Sequence, residues 1–183
     1  GTTEGKDTVP AVSLSKGSSM EAVCVKAQCY DVTGDSGVTK ADTFRKGALF
    51  SVTEGSNLTL HGHKLDHTML LGPYTPDTQM NTAALYAGKN SSIYVAGPTH
   101  IAQFGIDALA EDNSVIEFGP HKRDGTLDVS GWQLDNASNH TRVALHATRA
   151  CLVANKNSEI IMKDLGDFQN NWISKYQDAL DLS

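Results

Sequence analysis

The sequence predicts an all-β chain, a solenoid of short parallel strands with turns of about 22 residues, ended by a short amphipathic helix. Three observations predict it. Four stretches share one shape: Gly55-Ser56-Asn57-Leu58-Thr59-Leu60, Asn90-Ser91-Ser92-Ile93-Tyr94-Val95, Asn113-Ser114-Val115-Ile116-Glu117-Phe118 and Asn157-Ser158-Glu159-Ile160-Ile161-Met162. Each is a polar turn followed by an apolar–any–apolar strand, whose two-residue period puts pairs such as Leu58 and Leu60 on one face. A second apolar patch precedes each copy: Ala48-Leu49-Phe50, Ala84-Leu85-Tyr86, Ala108-Leu109-Ala110 and Cys151-Leu152-Val153. The anchors Leu58, Ile93, Ile116 and Ile160 are separated by 35, 23 and 44 residues.

One such turn cannot bury its own apolar face, whereas stacked turns build a continuous core and pair their backbones with the turns above and below. The 44-residue interval reads as two turns, with a degenerate one in residues 120–148, and the 35-residue interval as one turn with an insertion between His67 and Met80. About eight turns give a rod roughly 35–40 Å long. Asn57, Asn90, Asn113 and Asn157 are placed to stack as an amide ladder inside a corner. A β-sandwich with the same short strands and polar turns is the alternative architecture.

In chain order, residues 1–10 are polar and end in Pro10, a flexible lead-in. Residues 11–165 form the solenoid. Gly17-Ser18-Ser19-Met20-Glu21-Ala22-Val23 is a fifth, weaker copy of the repeat, residues 31–46 are a polar loop, and Gly72-Pro73-Tyr74-Thr75-Pro76-Asp77 is a second loop whose prolines exclude a central strand. His121-Lys122-Arg123-Asp124-Gly125 is a charged hairpin or corner. Residues 166–183 form the terminal helix: Phe168, Trp172, Tyr176 and Leu180 recur every four residues beside Ile173, with Asp167 at the N-cap. Its expected role is a cap or lid over an open solenoid end.

The 183 residues suit one domain. With 15 Lys+Arg against 21 Asp+Glu the net charge is -6, which argues against a nucleic-acid binder or an electrostatic membrane-surface module. No apolar run approaches the roughly 20 residues that span a bilayer. The first five residues have neither the basic start nor the apolar centre of a secretory signal, so the chain reads as cytosolic or as a mature or excised piece of a secreted protein. Three cysteines, Cys24, Cys29 and Cys151, are too few and odd in number for a disulfide framework. Cys24 and Cys29 bond only if Lys26-Ala27-Gln28 turns; otherwise they are buried or half-buried thiols.

The phrases Lys46-Gly47-Ala48-Leu49-Phe50-Ser51-Val52-Thr53-Glu54-Gly55-Ser56-Asn57-Leu58-Thr59-Leu60-His61-Gly62 and Gly105-Ile106-Asp107-Ala108-Leu109-Ala110-Glu111-Asp112-Asn113-Ser114-Val115-Ile116-Glu117-Phe118-Gly119 carry a cadence that resembles the turns of pertactin-like autotransporter passenger domains. The resemblance covers roughly residues 46–165. It implies a right-handed parallel β-helix on a bacterial surface, acting in adhesion or in capture of host proteins or glycans, extracellular or surface-displayed, and it supplies no catalytic residues. Phage tail spikes share the architecture, so a virion appendage, an oligomer of such rods, or one acting on polysaccharide is the alternative.

Rods display loops on a rigid scaffold, so the binding candidates lie in the insertions: Tyr74, Trp132, His121 and Arg123. His61, His63 and His67 are the densest histidine cluster; alternation places His61 and His63 on one strand face, a permissive spacing for a metal, with exposed strand and loop histidines as the plainer alternative. Polysaccharide-cleaving β-helices align acids on one face, and Asp107, Asp112, Glu117, Asp124, Asp128 and Asp135 fall in adjacent predicted turns; solvated surface charge is the plainer alternative. Gly34-Asp35-Ser36-Gly37 resembles the nucleophile loop of trypsin-like proteases but lacks the following Gly-Pro and any preceding histidine, so it reads as a polar turn. Asp31 and Asp35 lack the remaining ligands of a calcium loop. Asn-x-Ser/Thr sites at Asn57, Asn90, Asn136 and Asn139 take glycans only in a eukaryotic secretory setting. No phosphate-binding, dinucleotide or zinc-protease motif is present, and no cofactor is expected.

Overall fold

The computed structural model describes residues 10–23, 25–28, 44–45, 47–62, 68–72, 82–119, 141–162 and 165–170. It is mostly parallel β-strand in curled sheets. In chain order the strands are β1 (Val12–Leu14), β2 (Ser19–Val23), β3 (Lys26–Gln28), β4 (Phe50–Val52), β5 (Asn57–His61), β6 (Thr68–Leu71), β7 (Ala83–Ala87), β8 (Ser92–Ala96), β9 (Thr99–Ala110), β10 (Val115–Gly119), β11 (Thr141–Ala154), β12 (Glu159–Met162) and β13 (Leu165–Asn170).

The pairings, all parallel among the described residues, resolve into three ladders. The first runs β1, β4, β7, then the second halves of β9 and β11. The second runs β2, β5, β8, β10, β12. The third runs β3, β6, the first halves of β9 and β11, then β13. The chain crosses the ladders five times in the same order, and each strand pairs with those one pass earlier and later.

The copies of the sequence repeat fall in the second ladder, and the fifth, weaker copy is a full member: Met20, Leu58, Ile93, Ile116 and Ile160 align in one column. Direct pairing of Ile116 with Ile160 corrects the expected length. The 44-residue interval is one pass carrying a long insertion, not two passes. At about 4.8 Å per strand, five passes reach about 20 Å. The third strand of each pass is an addition to the expected two.

The core lies between the ladders. Leu58, Leu60, Leu85, Ile93, Val95, Ile101, Phe104, Ile116, Phe118 and Leu145 are all within 1% of complete burial. At the two ends of the stack the equivalent residues Met20, Ala22, Ile160 and Met162 are only partly buried. A second, smaller cluster lies apart from this core. Phe44 and Ala48 pack with Ala83, Tyr86, Ile106 and Leu109, and Val153 sits against them. Residues from the stretch between the first and second passes thus cover part of passes three to five.

The expected C-terminal helix is not observed where it should begin. Leu165–Asn170 is a strand paired with the first half of β11, so Asp167 caps no helix there. The edge of β11 offers this segment a full set of backbone partners, which overrides the four-residue apolar spacing. Trp172, Ile173, Tyr176 and Leu180 lie outside the described residues, as does the lead-in before Pro10.

Candidate functional site

Of the corners between ladders, one is constant. From the first ladder to the second, all five passes turn through the same four positions, ending at Ser18, Ser56, Ser91, Ser114 and Ser158. Two consecutive residues there are left-handed: Lys16-Gly17, Glu54-Gly55, Lys89-Asn90, Asp112-Asn113 and Lys156-Asn157, with φ between 48° and 73°. Gly and Asn at the second position suit this conformation.

A ladder of side chains does run up this corner, but it is serine, not asparagine. The N–H of Ser18 donates to Ser56 Oγ, Ser56 to Ser91, Ser91 to Ser114 and Ser114 to Ser158, at 3.0–3.1 Å. Asn90, Asn113 and Asn157 instead hold the exposed left-handed position, where their side chains point away from the stack. Asn57 sits one residue past the serine and accepts from Ser92 Oγ at 2.6 Å. The charges at the first left-handed position alternate up the column: Lys16, Glu54, Lys89, Asp112, Lys156. Lys89 Nζ lies 3.8 Å from Glu54 and Lys156 Nζ 3.8 Å from Asp112.

All variation in length falls at the other two corners, which flank the third ladder. Residues 62–67 and 120–140 join the second ladder to the third, and residues 29–49 and 72–82 join the third to the first. The passes without insertions turn these corners tightly, as at Gly97-Pro98, or run one strand through them, as β9 does. Four of the residues singled out in the sequence, Tyr74, His121, Arg123 and Trp132, belong to these insertions, as do His63 and His67; all six lie outside the described residues.

The third ladder, between these corners, is the candidate site. Leu70, Ile101, Val143, Leu145 and Ala147 face the core. Alternation turns Met69, Leu71, His100, Ala102, Ala144 and His146 to the opposite face. Five of these are half-buried, and Ala102 is 8% exposed. His100 and His146 meet edge to face, ring centroids 5.4 Å apart. Beside them β9 bulges at Gln103, whose φ is 69°, so that Ala102 pairs with His146 and Phe104 with Ala147. Gly72 fits against the bulge: its N–H donates to Ala102 O at 2.8 Å, and a Cβ there would lie 1.9 Å from Gln103 O. The insertion carrying Tyr74 therefore departs next to the histidine pair. This face offers apolar contact area and two imidazoles.

The remaining predicted residues are separated. His61 is not on an exposed face; it is 1% exposed, and its Nε2 lies 2.7 Å from Glu21 Oε1 across β2 and β5. β5 ends at His61. Among the described residues no three His, Cys, Asp or Glu side chains group as a metal site. The three described carboxylates of the proposed acidic row do not form one. Asp107 is fully buried beside Cys151, Glu117 is buried on β10, and Asp112 is at the constant corner. Asp124, Asp128 and Asp135 lie outside the described residues, as do the Gly34–Gly37 turn, Asp31, Cys24 and Cys29; Cys151 is a buried free thiol.

One buried charge was missed in the sequence. Glu111, fully buried at the entry to the constant corner, receives Arg45 through two bonds, one of 2.9 Å from Nη2 to Oε1, and Asn155 Nδ2 at 2.8 Å. Burial alone would raise the Glu111 carboxyl, but the Arg45 and Asn155 bonds, aided by the Arg45 and Lys156 charges, outweigh it and hold the group below its ordinary value. This ion pair fastens Phe44 and Ala48 to their cluster.

Searched against family models, curated proteins and solved structures, the chain has no significant match.

Proposed function

We propose that the three ladders are the faces of a right-handed parallel β-helix, and that this chain is a non-catalytic bacterial surface rod that binds host proteins or glycans through the loops around its third face. The observation that carries this is the confinement of every insertion to the two corners flanking the third ladder, while the first corner keeps one length and one backbone conformation in all five passes. A scaffold that needs only to stack has no reason to vary one side alone; a scaffold that presents a binding surface does. The half-buried Met69, Leu71 and His100–His146 patch forms the floor of that surface, and Tyr74, His121, Arg123 and Trp132 supply contacts from its rims. The pertactin-like cadence supports the extracellular setting, and the separation of Asp107, Asp112 and Glu117 favours a binding role over glycan cleavage.

The test is retention of the purified chain on an array of glycans and extracellular host proteins, with bound glycans checked for cleavage. The expected result is saturable retention of an intact ligand, weakened about tenfold by Tyr74→Ala or Trp132→Ala and unaffected by Asn113→Gly at the constant corner. Cleavage of the ligand overturns the non-catalytic reading. A stable oligomer with no ligand overturns the adhesin reading in favour of a virion rod.

A further inference from the structure

The second ladder ends at β2, which has no strand beyond it among the described residues. Lys16, Gly17, Ser18 and Ser19 are exposed, and Val23, 47% exposed, is the large apolar residue most open to solvent among those described. β12, at the other end, is the more covered of the two edges, with three of its four residues half-buried.

Two regularities of the constant corner run up to this edge and stop. The first is backbone polarity. Gly17 N–H donates to Glu54 O, Gly55 to Lys89 O, Asn90 to Asp112 O and Asn113 to Lys156 O, at 2.9–3.1 Å. Each pass therefore gives an N–H to the next pass and a carbonyl to the one before. At the first pass, the Lys16 carbonyl and the Ser18 hydroxyl, which donates to Ser15 O, face the side where a preceding pass would place its donors. The second is charge. Lys16, Glu54, Lys89, Asp112 and Lys156 alternate in sign, so the position preceding Lys16 in the column calls for an acid.

We infer that the β2 edge is a docking site for a parallel β-rung of another chain whose corner reads Asp or Glu, then Gly or Asn, then Ser. Such a rung adds in register to Ser19–Val23, gives its corner N–H to the Lys16 carbonyl and its serine N–H to Ser18 Oγ, sets its carboxylate beside Lys16 and covers Met20 and Ala22. A second copy of this chain does not fit. Its complementary edge is β12, whose corner bears Lys156, and end-to-end stacking would set ammonium against ammonium.

The probe is a synthetic peptide of residues 48–62, which contains the acidic corner Glu54-Gly55-Ser56, titrated into the full chain at low salt and followed by amide chemical shifts and hydrogen exchange. The expected result is saturable protection of the amides of Ser19, Glu21 and Val23, which alternate with those already turned toward β5. The Glu54→Lys peptide should bind about threefold more weakly, the scale of an exposed ion pair, and high salt should narrow the difference. Lys16→Glu in the chain should reverse the preference, and Lys16→Gln should erase it. Absence of binding at millimolar peptide, equal binding of both peptides, protection confined to residues 158–162, or end-to-end assembly of the chain in sedimentation equilibrium overturns the proposal.

Discussion

Asp107 and Cys151 lie side by side on neighbouring strands, a buried carboxyl against a buried thiol. The register fixes this, because Ile106 pairs with Ala150 and Ala108 with Leu152. Burial drives the Asp107 carboxyl well above its ordinary value, and the Cys151 side chain and the His146 backbone offset only part of the rise. Burial, reinforced by the Asp107 charge, pushes the thiol up to about 11. The pair is therefore at rest when neutral.

A pH dependence follows from this relationship. A carboxyl whose folded value is raised stabilises the fold fully below its unfolded value, and that contribution is lost as pH rises through the folded value. Asp107→Asn, which keeps the shape and removes the ionisation, should match the parent near pH 4 and gain on it steadily at higher pH. Urea midpoints from pH 4 to 8 check this; parallel curves for the two proteins would sink the idea.

Glu111 has the opposite sign. Its depressed value stabilises the fold above the ordinary glutamate range and loses that contribution as pH falls through the folded value. Arg45→Ala leaves the buried carboxylate without its cation and should cost about 3 kcal/mol at neutral pH. Arg45→Met with Glu111→Gln should recover most of it. Equilibrium denaturation of the single and double variants measures the coupling.

The β9 bulge depends on a glycine in the adjacent strand end. Gly72→Ala places a methyl carbon against the Gln103 carbonyl and should destabilise by about 3 kcal/mol, with Gly62→Ala doing the same against Pro98 O at 2.0 Å. Gly17→Ala meets nothing within 4 Å, and its cost is confined to the left-handed backbone, about 1 kcal/mol. Urea denaturation ranks the three.

The serine column gives a paired prediction. Ser114→Ala removes the hydroxyl that accepts the Ser91 N–H and should cost about 1–2 kcal/mol, because both residues are buried. Asn113→Gly, one residue earlier, should cost less than about 0.5 kcal/mol, since glycine suits the same backbone. A larger loss for Asn113→Gly than for Ser114→Ala would show that the asparagine, not the serine, joins the passes.

Two strands of each pass and the corner between them were legible, because inward-facing Leu58, Leu60, Ile93 and Val95 alternate with polar residues. The third ladder was not. Its outward residues are His100, Ala102, Ala144 and His146, and its core residues Thr68 and Thr99 are polar, so the two-residue period loses contrast. The asparagine ladder failed on one residue of offset. Asn and Gly exchange freely at the left-handed position, as Gly17, Gly55, Asn90, Asn113 and Asn157 show, whereas serine stands at the next position in every copy. That invariance within the chain was the available signal. The ion pair was hidden because Arg45 and Glu111 are 66 residues apart and share no local pattern.

Phe44, Arg45 and Ala48 follow the first pass in sequence yet rest on residues from the third, fourth and fifth: Ala83, Ile106, Glu111, Val153 and Asn155. In a stack whose passes touch only their neighbours, each could fray or form alone. Here an early segment is stitched to a late one. A chain emerging from the ribosome cannot close that stitch until β11 is out, so the seam sets only after the first four passes have emerged. Once set, it couples the last three passes through more than their shared strand edges.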